Sequence, residues 1–433
     1  MNSDFNPDQS SIGSPTNSSA NSSTNSHRSN QNGNSCDNVI LVGYSLSSDV
    51  KRQTRNRPEE RQRKIVNAMK SIPNIVDTIE YNSFNPELYS SLMMVHDPDY
   101  VTFLLGAYSS FTEDRKKGLT RDHELIVETF DDCPDGQVNC QNDSSVSNPL
   151  TKTAMVGLVP NSFPTIDRSN VIERTQLLQA LPVWRRVGFF CTDVENPIFA
   201  HTVSDAVKTA SDTLILAEHL ANSQVYKCAY SVTSNPGHHA GRDFYGGYCF
   251  INNAMIATNK FLELNTTSRV FVLDLDYHAG DGTNDIVKHF ARTGFGDRLA
   301  TSSIHMNPAY DYPNYRGFVH ENTSNVMNVL FEPRTHASVY LSKLVDVISV
   351  ITKFKPNYLV LAFGADTYSL DPEVVGVCEL QLPDYKTIGE LIGTACYISG
   401  CKLFITQEGG YNIQDVGEIL TNLMSGINST IQG

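Results

Sequence analysis

Four apolar runs, KCAYSVTS, RVFVLDLD, YLVLAFGAD and KLFITQEGG, constrain the fold of this chain more than any other feature. None has the alternating polar face of a half-exposed strand, and each reads as a strand covered on both sides. Stretches of helical length separate them, and SDAVKTASDTLILAEHLANS has apolar positions three and four apart. Strands alternating with helices predict a parallel sheet with both faces covered, an α/β fold. Each run then leads into residues that burial penalises: NPGHHAGRDFYGGYCF, DLDYHAGDG, GADTYSLDPE and QEGGYN. Ligands of such sheets bind beyond the carboxyl ends of the strands, so the four motifs predict one shared site.

Composition narrows the classes of function. With 47 acidic against 33 basic side chains the net charge is -14, which repels phosphate backbones and argues against direct nucleic-acid binding. No apolar run of membrane-spanning length and no secretory h-region are readable, so no membrane association is expected. Nine scattered cysteines fit a reducing compartment, nucleus or cytoplasm. Cys133 and Cys140 read as loop thiols. Residues 1–37, dominated by Ser and Asn, are expected to be disordered, and 38–433 to form the domain. The basic stretch from Lys51 to Lys64 reads as a loop leading into an amphipathic helix rather than a localisation signal. Residues 112–182 are polar and predict an irregular insertion near the rim of the site.

Residues i and i+2 of a strand point the same way, so Asp276 and His278 are expected to share one face. With Asp366 from another strand end they supply two oxygens and one nitrogen and leave a position open, the layout of a catalytic zinc site. Asp274 lies on the same face and can serve a second ion or orient a histidine. His238 and His239 put two imidazoles nearby, with Asp274 and Asp281 left to orient them. Tyr411, in a glycine turn, can donate its phenol to an oxyanion opposite the metal. These parts describe metal-assisted attack of water on a carbonyl.

PGHHA, GGYCFINNA, DLDYHAGDGT, FGADT and QEGGYN together resemble the histone deacetylase and acetylpolyamine amidohydrolase family, as do RPEERQRKI and VHDPDY upstream. The resemblance implies an arginase-deacetylase fold, three-layered with a largely parallel eight-stranded sheet. It implies zinc held by Asp276, His278 and Asp366. His238 and His239 match the tandem histidines, one a general base and the other an electrostatic catalyst or acid. Asp274 matches the acid behind the first and Asp281 the acid behind the second, while Tyr411 matches the tyrosine that binds the substrate carbonyl. It also implies structural potassium near Asp274, Asp276, His278 and Ser303. Tyr248 and Tyr312 match the aromatic walls of the substrate tunnel, with Gly247 letting a chain pass close to the backbone, and Arg61 is placed near an internal acetate channel.

Three features depart from the family's common pattern: His278 is followed by Ala279, the last turn reads EGGY, and Glu373 stands where many lysine deacetylases carry an apolar residue. A glutamate there suits a distal ammonium. The motifs therefore predict a zinc-dependent deacetylase of acetyl-lysine in histones or other proteins. The alternatives are an acetylpolyamine deacetylase with Glu373 as gatekeeper, or a catalytically silent scaffold.

Overall fold

The structure is a computed structural model that describes residues 40–46, 58–130, 152–164, 170–374 and 378–432. The tail before residue 38, the stretch from Lys51 to Arg57, and Cys133 and Cys140 lie outside the described residues. In chain order the strands are β1 (Ile40–Tyr44), β2 (Val76–Glu80), β3 (Glu124–Phe130), β4 (Lys152–Leu158), β5 (Cys228–Val232), β6 (Val270–Asp274), β7 (Leu299–Met306), β8 (Val326–Phe331), β9 (Tyr358–Phe363) and β10 (Lys402–Gln407). Eight of them form one sheet in the order β2-β1-β5-β10-β9-β6-β7-β8, and every neighbouring pair is parallel.

Burial explains why the central runs lack a polar face. β1, β5, β6 and β7 are buried along their whole length, whereas the edge strands β2 and β8 are partly exposed. Along β6 the side chains alternate between two apolar layers. Phe271 and Leu273 join Ile65, Leu344, Ile388 and Leu423. Val270 and Val272 join Leu214, Ile256 and Ile286 on the other face. Burying side chains of this size stabilises by about 1.5–3 kcal/mol each before entropy is counted.

The stretch after Arg57 forms the helix Pro58–Lys70, with proline in its first turn and Ile65, Val66 and Met69 buried. The 3.6-residue pattern beyond residue 200 becomes the helix Thr202–Asn222. The described parts of 112–182 hold more regular structure than their polarity predicts. The helix Pro98–Lys116 runs into them, β3 and β4 pair antiparallel, and a helix spans Val171–Ala180. Among the described residues, no part of 112–182 lines the cleft described below. No helix of the described residues is long and apolar enough to cross a membrane.

Candidate active site

The strands whose ends stand out in the sequence, β5, β10, β9 and β6, are consecutive neighbours in the sheet. Their carboxyl ends therefore converge on one point. β6 ends at Asp274, so Asp276 and His278 lie in the bend beyond it rather than on a strand face. A lattice of backbone donors shapes that bend instead. Asp276 N donates to Asp274 Oδ1 at 3.0 Å, His278 N to Asp276 Oδ1 at 2.9 Å, and Tyr277 N to Asp366 Oδ1 at 3.0 Å.

The ligand atoms of Asp276, His278 and Asp366 all lie within 4.8 Å of one another. Two tests on this geometry favour a cation. Asp366 Oδ2 is buried without a hydrogen-bond partner, although such an atom ordinarily costs about 1–3 kcal/mol. Glycine also surrounds the carboxylates: a Cβ at Gly364 would lie 2.2 Å from Asp276 Oδ2, and one at Gly409 2.1 Å from Asp366 Oδ2. Burial and the neighbouring Asp276 push the Asp366 carboxyl up to about 7. His278 shows the reverse balance: burial opposes its charge, but Asp276 and Asp366 lift it to about 10. One imidazole nitrogen and two carboxylates suit zinc.

Two His–Asp pairs stand beside the triad. His238 Nδ1 lies 3.1 Å from Asp274 Oδ2, and His239 Nδ1 lies 2.7 Å from Asp281 Oδ1. Asp281 opens the helix Asp281–Phe290, where the helix dipole favours a carboxylate. The two imidazoles differ electrostatically. Burial opposes charge on His238, but Asp276 and Asp274 outweigh it and hold the ring well above its usual range. Burial and His238 press His239 down to about 4 against the pull of Asp281, so its ring is neutral near pH 7. A neutral ring that donates Nδ1–H to a carboxylate leaves Nε2 as a base.

Tyr411 is held by its backbone: its N–H and that of Asn412 donate to Asp371 Oδ2 at 2.6 and 2.9 Å. Burial raises its phenol far above the usual range, which keeps it a donor. Buried Arg61 lies 5.5 Å over the Tyr411 ring and donates to the carbonyls of Glu408 and Ser234 at 2.9 and 3.2 Å. It thereby ties the loop after β10 to the loop after β5.

A cleft of about 360 Å³ opens onto this centre, lined by His238, His239, His278 and Tyr411 and, further out, by Gly247, Tyr248, Tyr312 and Glu373. The Tyr312 ring stands edge-on to His239 with centroids 4.8 Å apart, and Tyr248 meets Tyr411 at 5.9 Å. Gly247 and Tyr248 both have positive φ, 52° and 65°, so the wall turns sharply. A Cβ on Gly247 would lie 2.2 Å from His239 Cδ2, so only glycine fits. Ser303 is paired with Asp274 across β6 and β7. All the site residues expected from the sequence thus gather at one end of the sheet.

Sequence reasoning missed three acids. Glu408 is fully buried and accepts from Gly237 N at 2.5 Å, His238 N at 3.1 Å and Thr406 Oγ1 at 2.7 Å, fixing the tandem-histidine turn. Burial raises its carboxyl to about 7. Asp371 seats Tyr411. Both stand inside quoted motifs, where a polar residue beside a strand end was the available signal. Asp193, in CTDVENP, lines the cleft and gave no signal.

Comparison with known proteins accords with this geometry. Residues 56–427 match the histone deacetylase domain family. The chain is 30% identical over 397 residues to acetylpolyamine amidohydrolase 1 of Pseudomonas aeruginosa, covering 90% of this chain and 97% of that one. It is 31% identical over 234 residues to histone deacetylase 8 of Arabidopsis thaliana, covering 51% and 59%. Its fold superposes on the crystal structure of the acetylpolyamine aminohydrolase of Burkholderia pseudomallei with a TM-score of 0.66 at 22% identity, covering 91% of this chain and 100% of that one. With its all-parallel eight-stranded sheet and the arginase-deacetylase fold, the chain belongs to the histone deacetylase family of hydrolases.

Proposed function

We propose that this protein is a zinc-dependent deacetylase that hydrolyses the acetyl amide of an acetylated polyamine. The observation that carries this reading is the charge of the cleft: Asp193, Glu195, Asp311 and Glu373 line it, and among the described residues no lysine or arginine does. Each exposed pair with an ammonium contributes under about 1 kcal/mol, but several carboxylates of one sign at a cleft mouth concentrate and steer a polycation. The similarity to acetylpolyamine amidohydrolases supports the same substrate class. Acetyl-lysine in histones or other proteins, ranked first from the motifs alone, becomes the second reading, supported by the likeness to the Arabidopsis histone deacetylase.

In this reading Asp276, His278 and Asp366 hold the zinc, which supplies Lewis-acid polarisation of the amide carbonyl and acidifies water. His239, held through Nδ1 by Asp281, takes a proton from the attacking water at Nε2. Charged His238, backed by Asp274, stabilises the developing negative charge. Tyr411 donates its phenol to the oxyanion. The leaving amine is reprotonated from a histidine, and Tyr248 and Tyr312 keep water off the alkyl chain. A structural potassium near Asp274, Asp276, His278 and Ser303 belongs to the same proposal. A silent scaffold would not need this complete set of groups. The test is kcat/KM for acetylspermidine and for an acetyl-lysine peptide in wild type and Glu373→Leu. The polyamine value should fall and the peptide value hold; equal changes in both would remove Glu373 from substrate selection.

A further inference from the structure

Tyr312 and Gly247–Tyr248 both line the cleft but come from separate loops, after β7 and after β5. One carboxylate bonds to both, beside Thr192, whose hydroxyl meets the Tyr312 phenol and donates to Tyr245 O at 3.1 Å. Asp193 Oδ2 accepts from Gly247 N at 2.8 Å and from Tyr312 Oη at 3.1 Å. These partners are 54 and 119 residues away in sequence. The carboxylate is itself held in place: Glu195 N donates to Oδ1 at 2.9 Å, and Asn196 Nδ2 reaches Oδ1 and Oδ2 at 2.6 and 2.7 Å. Buried Asn196 then accepts from Tyr248 N at 2.5 Å, so the left-handed turn hangs from one four-residue loop. No slack is left around the junction. A Cβ on Gly246 would lie 2.1 Å from Thr192 Oγ1 and 2.6 Å from Tyr312 Oη.

An acid that only closed its own turn would bond to Glu195 and Asn196 and stop there. Asp193 also fixes both surfaces that press on His239, the Gly247 backbone and the edge-on Tyr312 ring. We infer that Asp193 is a positioning residue that sets the width of the tunnel and thereby restricts it to a slender, unbranched chain. The phenol of Tyr312 is what makes this possible, since a phenylalanine there would have nothing to donate. The inference rests on the cleft being the substrate route given above.

Binding of two hydroxamates to the full-length zinc-loaded protein, measured by titration calorimetry, tests it. Octanohydroxamic acid carries a slender chain and cyclohexanecarbohydroxamic acid a broad one. Wild type should favour the first by about 10-fold or more, the range that pocket fit gives to small differences in shape. Asp193→Ala should bring the ratio close to unity at unchanged zinc content, and Tyr312→Phe should bring it part of the way. Adding Tyr312→Phe to Asp193→Ala should change the ratio less than Tyr312→Phe does in wild type, because the bond to Asp193 is already gone and only the Thr192 contact is lost. Asp193→Asn retains the side-chain volume and one acceptor oxygen. It should shift the ratio less and in the same direction, and with Tyr312→Phe it carries the test if the alanine variant fails to fold. A wild-type ratio maintained in all the variants, or a wild type that binds both compounds equally or neither, would overturn the inference. Turnover is not the readout, so a wild type that binds hydroxamates but releases no acetate would count against the proposed function alone.

Discussion

Replacing Gly409 by alanine adds one methyl group against two carboxylates. The new Cβ would lie 2.1 Å from Asp366 Oδ2 and 2.7 Å from Asp276 Oδ2. Non-bonded heavy atoms settle near 3.5 Å, so the Asp366 carboxylate must retreat by more than about 1 Å. It cannot move freely, because its other oxygen is held by Tyr277 N at 3.0 Å. Both displaced groups are expected zinc ligands, and metal bonds tolerate only a few tenths of an ångström. Disturbing the groups that merely orient ligands weakens metal binding about 10- to 100-fold, and shifting a ligand itself should cost at least that. Zinc content after dialysis against a competing chelator, read by atomic emission, is the assay. Gly400→Ala is the control: its φ is +66° but nothing lies within 4 Å of the added atom. It should lose about 1 kcal/mol of stability through backbone strain and keep its metal. If Gly409→Ala retained zinc as well as the control, the cradle assigned to Asp276 and Asp366 would be wrong.

Further outcomes follow from the same geometry. Tyr411→Phe should lower kcat about 10²- to 10³-fold with little change in KM, since the phenol acts on charge that develops only in the transition state; a pure KM effect would contradict that role. Asp281→Asn should lower kcat by about 10²- to 10⁴-fold by losing the partner that fixes the His239 tautomer, with zinc content unchanged. Buried Asp212, which accepts from Ser45, has its carboxyl raised to about 7 by burial. The folded state then holds a proton that the unfolded state releases near pH 4, so its contribution to stability is full at low pH and disappears as pH rises through about 7. Comparing thermal unfolding of wild type and Asp212→Asn at pH 5 and pH 8 checks the sign: the asparagine variant should lose less stability on going to pH 8.

Much of the fold was legible because the central strands are buried on both faces, and such runs carry no competing pattern. The helix Pro58–Lys70 was legible for a similar reason, a proline start followed by apolar spacing. The pairing of β3 with β4 was hidden because exposed residues such as Ile126 contribute no periodic buried face. For the site, the sequence identified which groups gather but not how. Asp276 and His278 come together through a bend stapled by Asp274 and Asp366, whereas alternation along a strand predicted a common face by another route. Asp193 illustrates the limit: its role arises from bonds to residues far along the chain, and nothing local to CTDVENP signals them.

The central claim, a deacetylase whose acidic cleft selects a polycationic amine, is tested most directly by one ratio. It is kcat/KM for N-acetylspermidine divided by kcat/KM for an acetyl-lysine peptide, measured as acetate release by one zinc-loaded preparation at low ionic strength. With four carboxylates lining the cleft, two or three favourable pairs of under about 1 kcal/mol each predict a ratio above one and at most on the order of 100. Because exposed charges are screened, the ratio should fall as salt is added. A ratio below one that does not respond to salt would contradict the claim and restore acetyl-lysine as the substrate.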